Sequence, residues 1–286
     1  MNVKIIDTSA EILSAFDGDR FRMDRWAAYM ARCVPGAEEL CRDDLQECMA
    51  AGFTWEQDFL PVLEAVARDA DKREAAVRSF REVTEGLDRK IRDRFGKTVD
   101  CDLILYLGLC NGAGWVTELN GRRVVLLGIE KIMELDWHGR DAMTGLVIHE
   151  LGHVYHMQYG DFGGEAGTRA DRFLWQLFTE GVAMVFEQEV VGDPEYFHQD
   201  TDGWKAWCDS HAAQILEGFR KDLPSMTNEN QRYFGDWTRF EGRGDTGYYL
   251  GARFVRFLLE TDSFDRIILY GPDQVREAFG RFGLPG

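Results

Sequence analysis

The segment His149-Glu150-Leu151-Gly152-His153 constrains this chain more than any other feature. On a helix, its two imidazoles stand at positions i and i+4, one turn apart on one face. Two neutral nitrogen donors at that spacing can converge on one tetrahedral cation. Glu150 is rotated from His149 by about 100°. It is therefore turned away from joining as a ligand and can reach a water held on the same ion. A site of this kind cannot close on one helix. Met143, Leu146, Val147, Leu151 and Val154 supply an apolar side that would bury the helix. Gly152 costs about 1 kcal/mol of helix propensity relative to Ala, which predicts that another element packs closely there.

A hydrolytic zinc takes three protein ligands and keeps one position for water. The best third ligand is Glu180, in Phe178-Thr179-Glu180-Gly181-Val182-Ala183, 27 residues after His153. Phe173, Leu177, Glu180 and Met184 recur at spacings of four, three and four, so Glu180 falls within the apolar stripe of its helix. A buried carboxylate without a partner is costly, so a cation is expected beside it. Gly181 and Ala183 would let this helix approach the histidine helix. Two other residues compete. His156 shares the face of His149 and His153 but lies about 10 Å along the helix from His149, which suits packing better. Asp171, in Gly167-Thr168-Arg169-Ala170-Asp171, is a weaker alternative because its turn has one residue too many.

The rest of the chain reads as helices around a small sheet. Val3 to Ile6 suggests a strand. Thr8 and Glu11 form a capping-box signal for a helix to about Gly18. Cys33-Val34-Pro35-Gly36 breaks the chain before a helix from Ala37 to about Ala51. Phe80, Val83, Leu87, Ile91 and Phe95 make one apolar stripe on a charged helix ending at Gly96. Near Thr98 the texture changes. Val99 to Leu107 is rich in β-formers, and Asn120-Gly121 between Trp115–Leu119 and Arg122–Ile129 predicts a hairpin. Helices are expected over Asp141–Tyr159, Asp171–Glu189, Trp204–Phe219 and Gly247–Glu260. This order implies an α+β fold, with a mainly helical region over 1–98 and the chemistry-bearing domain over 99–286.

The 50 acidic against 33 basic side chains give a net charge of −17. That balance argues against nucleic acid as a partner and against docking on anionic lipid. No secretory signal opens Met1 to Phe16 and no run is long enough to cross a bilayer, so no membrane association is expected. The six cysteines are too sparse for a disulfide scaffold and suit reduced, core-filling thiols, which together predict a cytoplasmic protein.

The ordered set H-E-L-G-H, then T-E-G-V-A around Glu180, then Gly247-Tyr248-Tyr249-Leu250-Gly251 resembles the gluzincin-type zinc metallopeptidases. It is most similar to the YjaZ-like zinc-dependent proteases, over about Leu103 to Leu259; residues 1 to about 98 carry none of the likeness. The resemblance implies one Zn²⁺ per chain on His149, His153 and Glu180, with Glu150 as the catalytic carboxylate. It implies a zincin-like core, a small twisted sheet with an active-site helix and C-terminal helices, and a peptide or protein substrate. In that core a strand edging the cleft pairs with extended substrate, here Trp115–Leu119 or the preceding Gly112-Ala113-Gly114. Many members also steady the oxyanion with a Tyr or His, and Tyr248 is the expected residue, with Tyr249 next. The alternative is a non-catalytic zinc protein, which would need a closing ligand such as Cys110 or Cys208 brought in by folding.

Overall fold

The computed structural model describes residues 2–164, 167–235 and 237–284. Helices and a small mixed sheet make it an α+β protein. Its contacts divide into two compact units, Met1–Glu150 and Leu151–Gly286.

The first unit opens with β1 (Lys4–Asp7), a 3₁₀ turn at Ile12–Ala15, and the short strands β2 (Phe16–Asp17) and β3 (Arg20–Phe21). Helices α1 (Met23–Cys33) and α2 (Ala37–Ala50) follow, and then a π-helical turn at Trp55–Phe59 leads into α3 (Leu60–Arg68), α4 (Ala70–Thr84) and α5 (Leu87–Phe95). Next come β4 (Asp102–Tyr106), β5 (Gly114–Leu119), β6 (Arg122–Gly128) and α6 (Ile129–Glu134).

The main sheet has the order β1-β4-β6-β5. β1 runs parallel to β4 and β4 parallel to β6, with Ile104 opposite Leu126; β5 closes the edge antiparallel to β6, with Val116 opposite Val125. The inner strands are continuous apolar runs, Leu103–Tyr106 and Val124–Leu127, and all of these residues are buried, as parallel strands covered on both faces must be. The hairpin forms at Asn120-Gly121 as expected, with φ of 52° and 73° at the two turn residues.

Three expectations about this unit change. Thr8 does not cap a helix. Its hydroxyl donates to the Leu105 carbonyl oxygen (2.7 Å) and meets Tyr29 Oη at 2.6 Å, so it pins the end of β1, and only the 3₁₀ turn follows. The stripe from Phe80 to Phe95 does not lie on one helix, because Gly86 at φ 69° separates α4 from α5, although Phe80, Val83, Leu87 and Ile91 are all buried. A boundary at 98/99 would part β1 from its sheet neighbour β4; the compact units divide inside α7 instead.

Helix α7 (Arg140–Tyr159) carries that division. Beyond it lie α8 (Arg169–Val191), α9 (Trp204–Ser210), α10 (Ala212–Asp222), α11 (Thr246–Leu258), α12 (Phe264–Ile267) and α13 (Pro272–Arg281). The single helix expected over Trp204–Phe219 is broken at His211, whose ring stacks on Trp207 and whose Nδ1 bonds to the Trp207 carbonyl oxygen at 2.8 Å. α8 is buried on nearly every side, with Phe173, Leu174, Leu177, Phe178, Val182, Met184, Val185 and Phe186 all in the core. A helix buried on most of its faces sits within the core of its unit. Among the described residues, no helix is long and apolar enough to cross a membrane.

Candidate metal centre

The two small residues of α8 that the sequence singled out face different neighbours. A Cβ at Gly152 would lie 3.0 Å from Ala183 Cα and 3.2 Å from Phe186 Cβ, so Ala183 does admit α7 and the glycine is explained by close packing. Gly181 does not take part in that contact. A Cβ there would lie 2.2 Å from the Gly251 carbonyl oxygen, so its task is to admit α11. Residues 181 and 183 are about 200° apart around a helix, which is why they cannot serve the same contact.

Close approach of α7 to α8 sets the geometry of the candidate site. His149, His153 and Glu180 each offer one ligand atom, and the three atoms lie within 4.8 Å of one another. His153 Nε2 is 3.2 Å from Glu180 Oε2. The histidines are nearly buried, at 3% for His149 and 9% for His153, while the Glu180 side chain is 16% exposed. Glu180 is thus less buried than its place in the apolar stripe implied. Two imidazoles and one carboxylate, gathered this closely, are a donor set that a metal ion fits. Glu150, between the histidines, is 6% exposed. Its carboxylate lies against Gly114, where a Cβ would come within 2.6 Å of Glu150 Oε1.

A second group includes residues the sequence reading missed. Ligand atoms of His149, Glu187 and His198 also lie within 4.8 Å of one another, and all three residues are buried. A signal was present, since the stripe Phe173, Leu177, Glu180, Met184 continues with the same spacing to Glu187. This group has its own hydrogen bonds. Glu187 accepts from His198 Nδ1 at 2.9 Å and from the His198 backbone N–H at 3.3 Å. His149 belongs to both groups, and an imidazole can ligate through one nitrogen while the other is held by its surroundings.

The competing third ligands have other work. Asp171 closes a capping box with Thr168 at the start of α8 and bonds to Arg276 Nε at 2.8 Å. These bonds, that of Arg276 foremost, hold its carboxyl down to about 2. His156 bonds through Nε2 to the Ile268 carbonyl oxygen (3.1 Å), its ring lies edge-on to Phe162 and Phe178, and burial pushes its pKa down to about 4. It is a packing residue.

Of the two tyrosines, Tyr249 is committed. It is buried, and its hydroxyl donates to Asp209 Oδ1 at 3.0 Å beside Arg253. Tyr248 is half-buried, edge-on to Phe234, and shares a face of α11 with Gly251 through the i, i+3 relation. No cysteine joins either group of candidate ligands among the described residues. Cys208 is buried, and burial pushes its thiol up to about 12.

No family model, curated protein or solved structure matches this chain.

Proposed function

We propose that this chain is a zinc-dependent peptidase with a zincin-like core. The observation that carries the reading is the convergence of His149, His153 and Glu180 with Glu150 placed between the two histidines. Zinc held by those three side chains would supply an acidified water and a Lewis acid for the scissile carbonyl. Glu150 is the proposed general base. It takes the proton from the attacking water and passes it to the leaving amine. Tyr248 is the proposed donor to the oxyanion; the hydroxyl of Tyr249, the other candidate, bonds to Asp209.

The sheet supports a peptide as substrate. β5 is an antiparallel edge strand, and its first residue, Gly114, touches the Glu150 carboxylate. An extended peptide pairing with such an edge gains main-chain hydrogen bonds while its backbone runs past the base.

A non-catalytic zinc protein remains the second reading, and it draws on the wholly buried group of His149, Glu187 and His198. The two readings separate in one experiment. Metal-loaded protein is incubated with a diverse peptide mixture, with and without chelator, alongside Glu150→Gln. The peptidase reading predicts cleavage that chelator abolishes, and a loss of about a hundredfold to ten-thousandfold in Glu150→Gln with its metal retained. Equal cleavage by Glu150→Gln, or none by the wild type, rejects it.

A further inference from the structure

Glu130 is the second residue of α6, which follows β6 directly, and it is almost fully buried. Its two carboxylate oxygens accept the backbone N–H groups of Gly108 (3.0 Å) and Cys110 (3.1 Å). Both donors belong to the loop 107–113, which joins β4 to β5. The loop fits tightly around the carboxylate. A Cβ at Gly108 would lie 2.7 Å from Glu130 Oε1 and 2.8 Å from Tyr106 Oη. One at Gly128 would lie 2.6 Å from the Gly112 carbonyl oxygen.

The outer side of the loop is tied by Asn111, whose amide donates to the Cys41 carbonyl oxygen (2.9 Å) and to Asp44 (2.8 Å). At its far end, the Gly128 N–H donates to the Ala113 carbonyl oxygen at 3.1 Å and Trp115 Nε1 donates to Tyr106 Oη at 3.1 Å. The next contact along the chain is that of Gly114 with Glu150.

A carboxylate is a costly choice for a place like this. Burial pushes Glu130 up to about 7, against the pull of its own backbone N–H, those of Gly108 and Cys110, and Lys131. What it offers in return is a pair of acceptors on one rigid plane, enough for two N–H donors at once. A glutamine supplies only one acceptor, because its other end donates.

We infer that Glu130 is a positioning residue: its carboxylate fixes the β4–β5 loop and, through that loop, the edge strand β5 and the contact of Gly114 with Glu150. The consequence for catalysis rests on the peptidase reading above; the placement of β5 does not.

The test pairs Glu130→Gln with Glu130→Ala, each first shown to unfold cooperatively. Backbone amide exchange is followed across 102–128, with zinc affinity measured by chelator competition. Exchange is expected to speed up at Gly108, Cys110 and along 114–119 in both variants, more in Ala than in Gln, while β1 and its ladder to β4 keep their protection. Zinc affinity stays within about twofold, because no ligand is moved, and kcat falls by about tenfold to a hundredfold with little change in KM. Partial recovery in Gln over Ala, through its one retained acceptor, accompanies both effects. Exchange confined to 108–110 with β5 and kcat unchanged would overturn the inference. If the wild type cleaves no peptide, the peptidase reading fails by itself, and protection along 114–119 still decides whether Glu130 holds β5.

Discussion

Helices α4 and α5 are rich in charged residues and helices α7 and α8 are mostly apolar in sequence, and the two pairs place their polar residues in opposite ways. In α4 and α5 the buried side is Phe80, Val83, Leu87 and Ile91, and charges face water, as in the Arg89–Asp93 pair at 3.7 Å with side chains 84% and 69% exposed. In α7 and α8 the interior itself is polar. His149, Glu150, His153, His156 and Glu187 are all buried. Burying such groups without partners costs several kcal/mol each, and here His156 is held by the Ile268 carbonyl oxygen and Glu187 by the His198 ring. The first pair of helices shows what ordinary amphipathic packing needs, and the second shows what has been added.

The comparison can be broken most directly by removing an acid from each region. Glu187→Ala deletes the acceptor of two hydrogen bonds from a buried histidine and is expected to cost about 3–5 kcal/mol in urea unfolding. Asp93→Ala should stay within about 1 kcal/mol. Similar costs for the two would erase the distinction.

Glu130 sharpens it through pH. Its folded pKa is raised from 4.5 to about 7 by burial, with Tyr29, Tyr106, Cys41 and Lys131 as the ionisable groups that interact with it. A raised pKa means that its stabilising contribution is full below the unfolded value and is lost as pH rises through about 7. Relative to Glu130→Gln, which does not ionise, the wild type should therefore lose about 2–3 kcal/mol between about pH 5 and about pH 8. A difference between the two proteins that does not vary with pH would mean that Glu130 is hydrated as readily folded as unfolded.

A smaller effect is expected from the helix contact. Gly181→Ala pushes a methyl against the Gly251 backbone, where no flexible side chain can yield, and should cost about 1–3 kcal/mol. Gly152→Ala meets its neighbours at 3.0 Å or more and should cost less. The reverse order would place the tighter helix contact at Gly152 and not at Gly181.

Much of this was legible before any coordinates, where one local rule sufficed. The hairpin at Asn120-Gly121 follows from backbone preference, and α7 and α8 follow from apolar periodicity. Glu180 could be picked out because an acid in an apolar stripe is conspicuous. Glu187 continues the same stripe and His198 is its partner, but their pairing depends on a loop whose course no periodicity sets. Thr8 misled for the same reason. Its spacing from Glu11 fits a cap, yet its hydroxyl is used by Leu105 and Tyr29, residues far away in sequence. Glu130 gave no signal at all, since its significance lies in two N–H groups some twenty residues earlier.

The central claim is that a single ion belongs among His149, His153 and Glu180. Metal content, measured on protein purified without added metal, tests it in three chains: wild type, Glu180→Ala and His198→Ala. The account predicts one zinc per wild-type chain, a large loss in Glu180→Ala, and retention in His198→Ala. A wild type without zinc, or zinc lost with His198 and kept without Glu180, would contradict it.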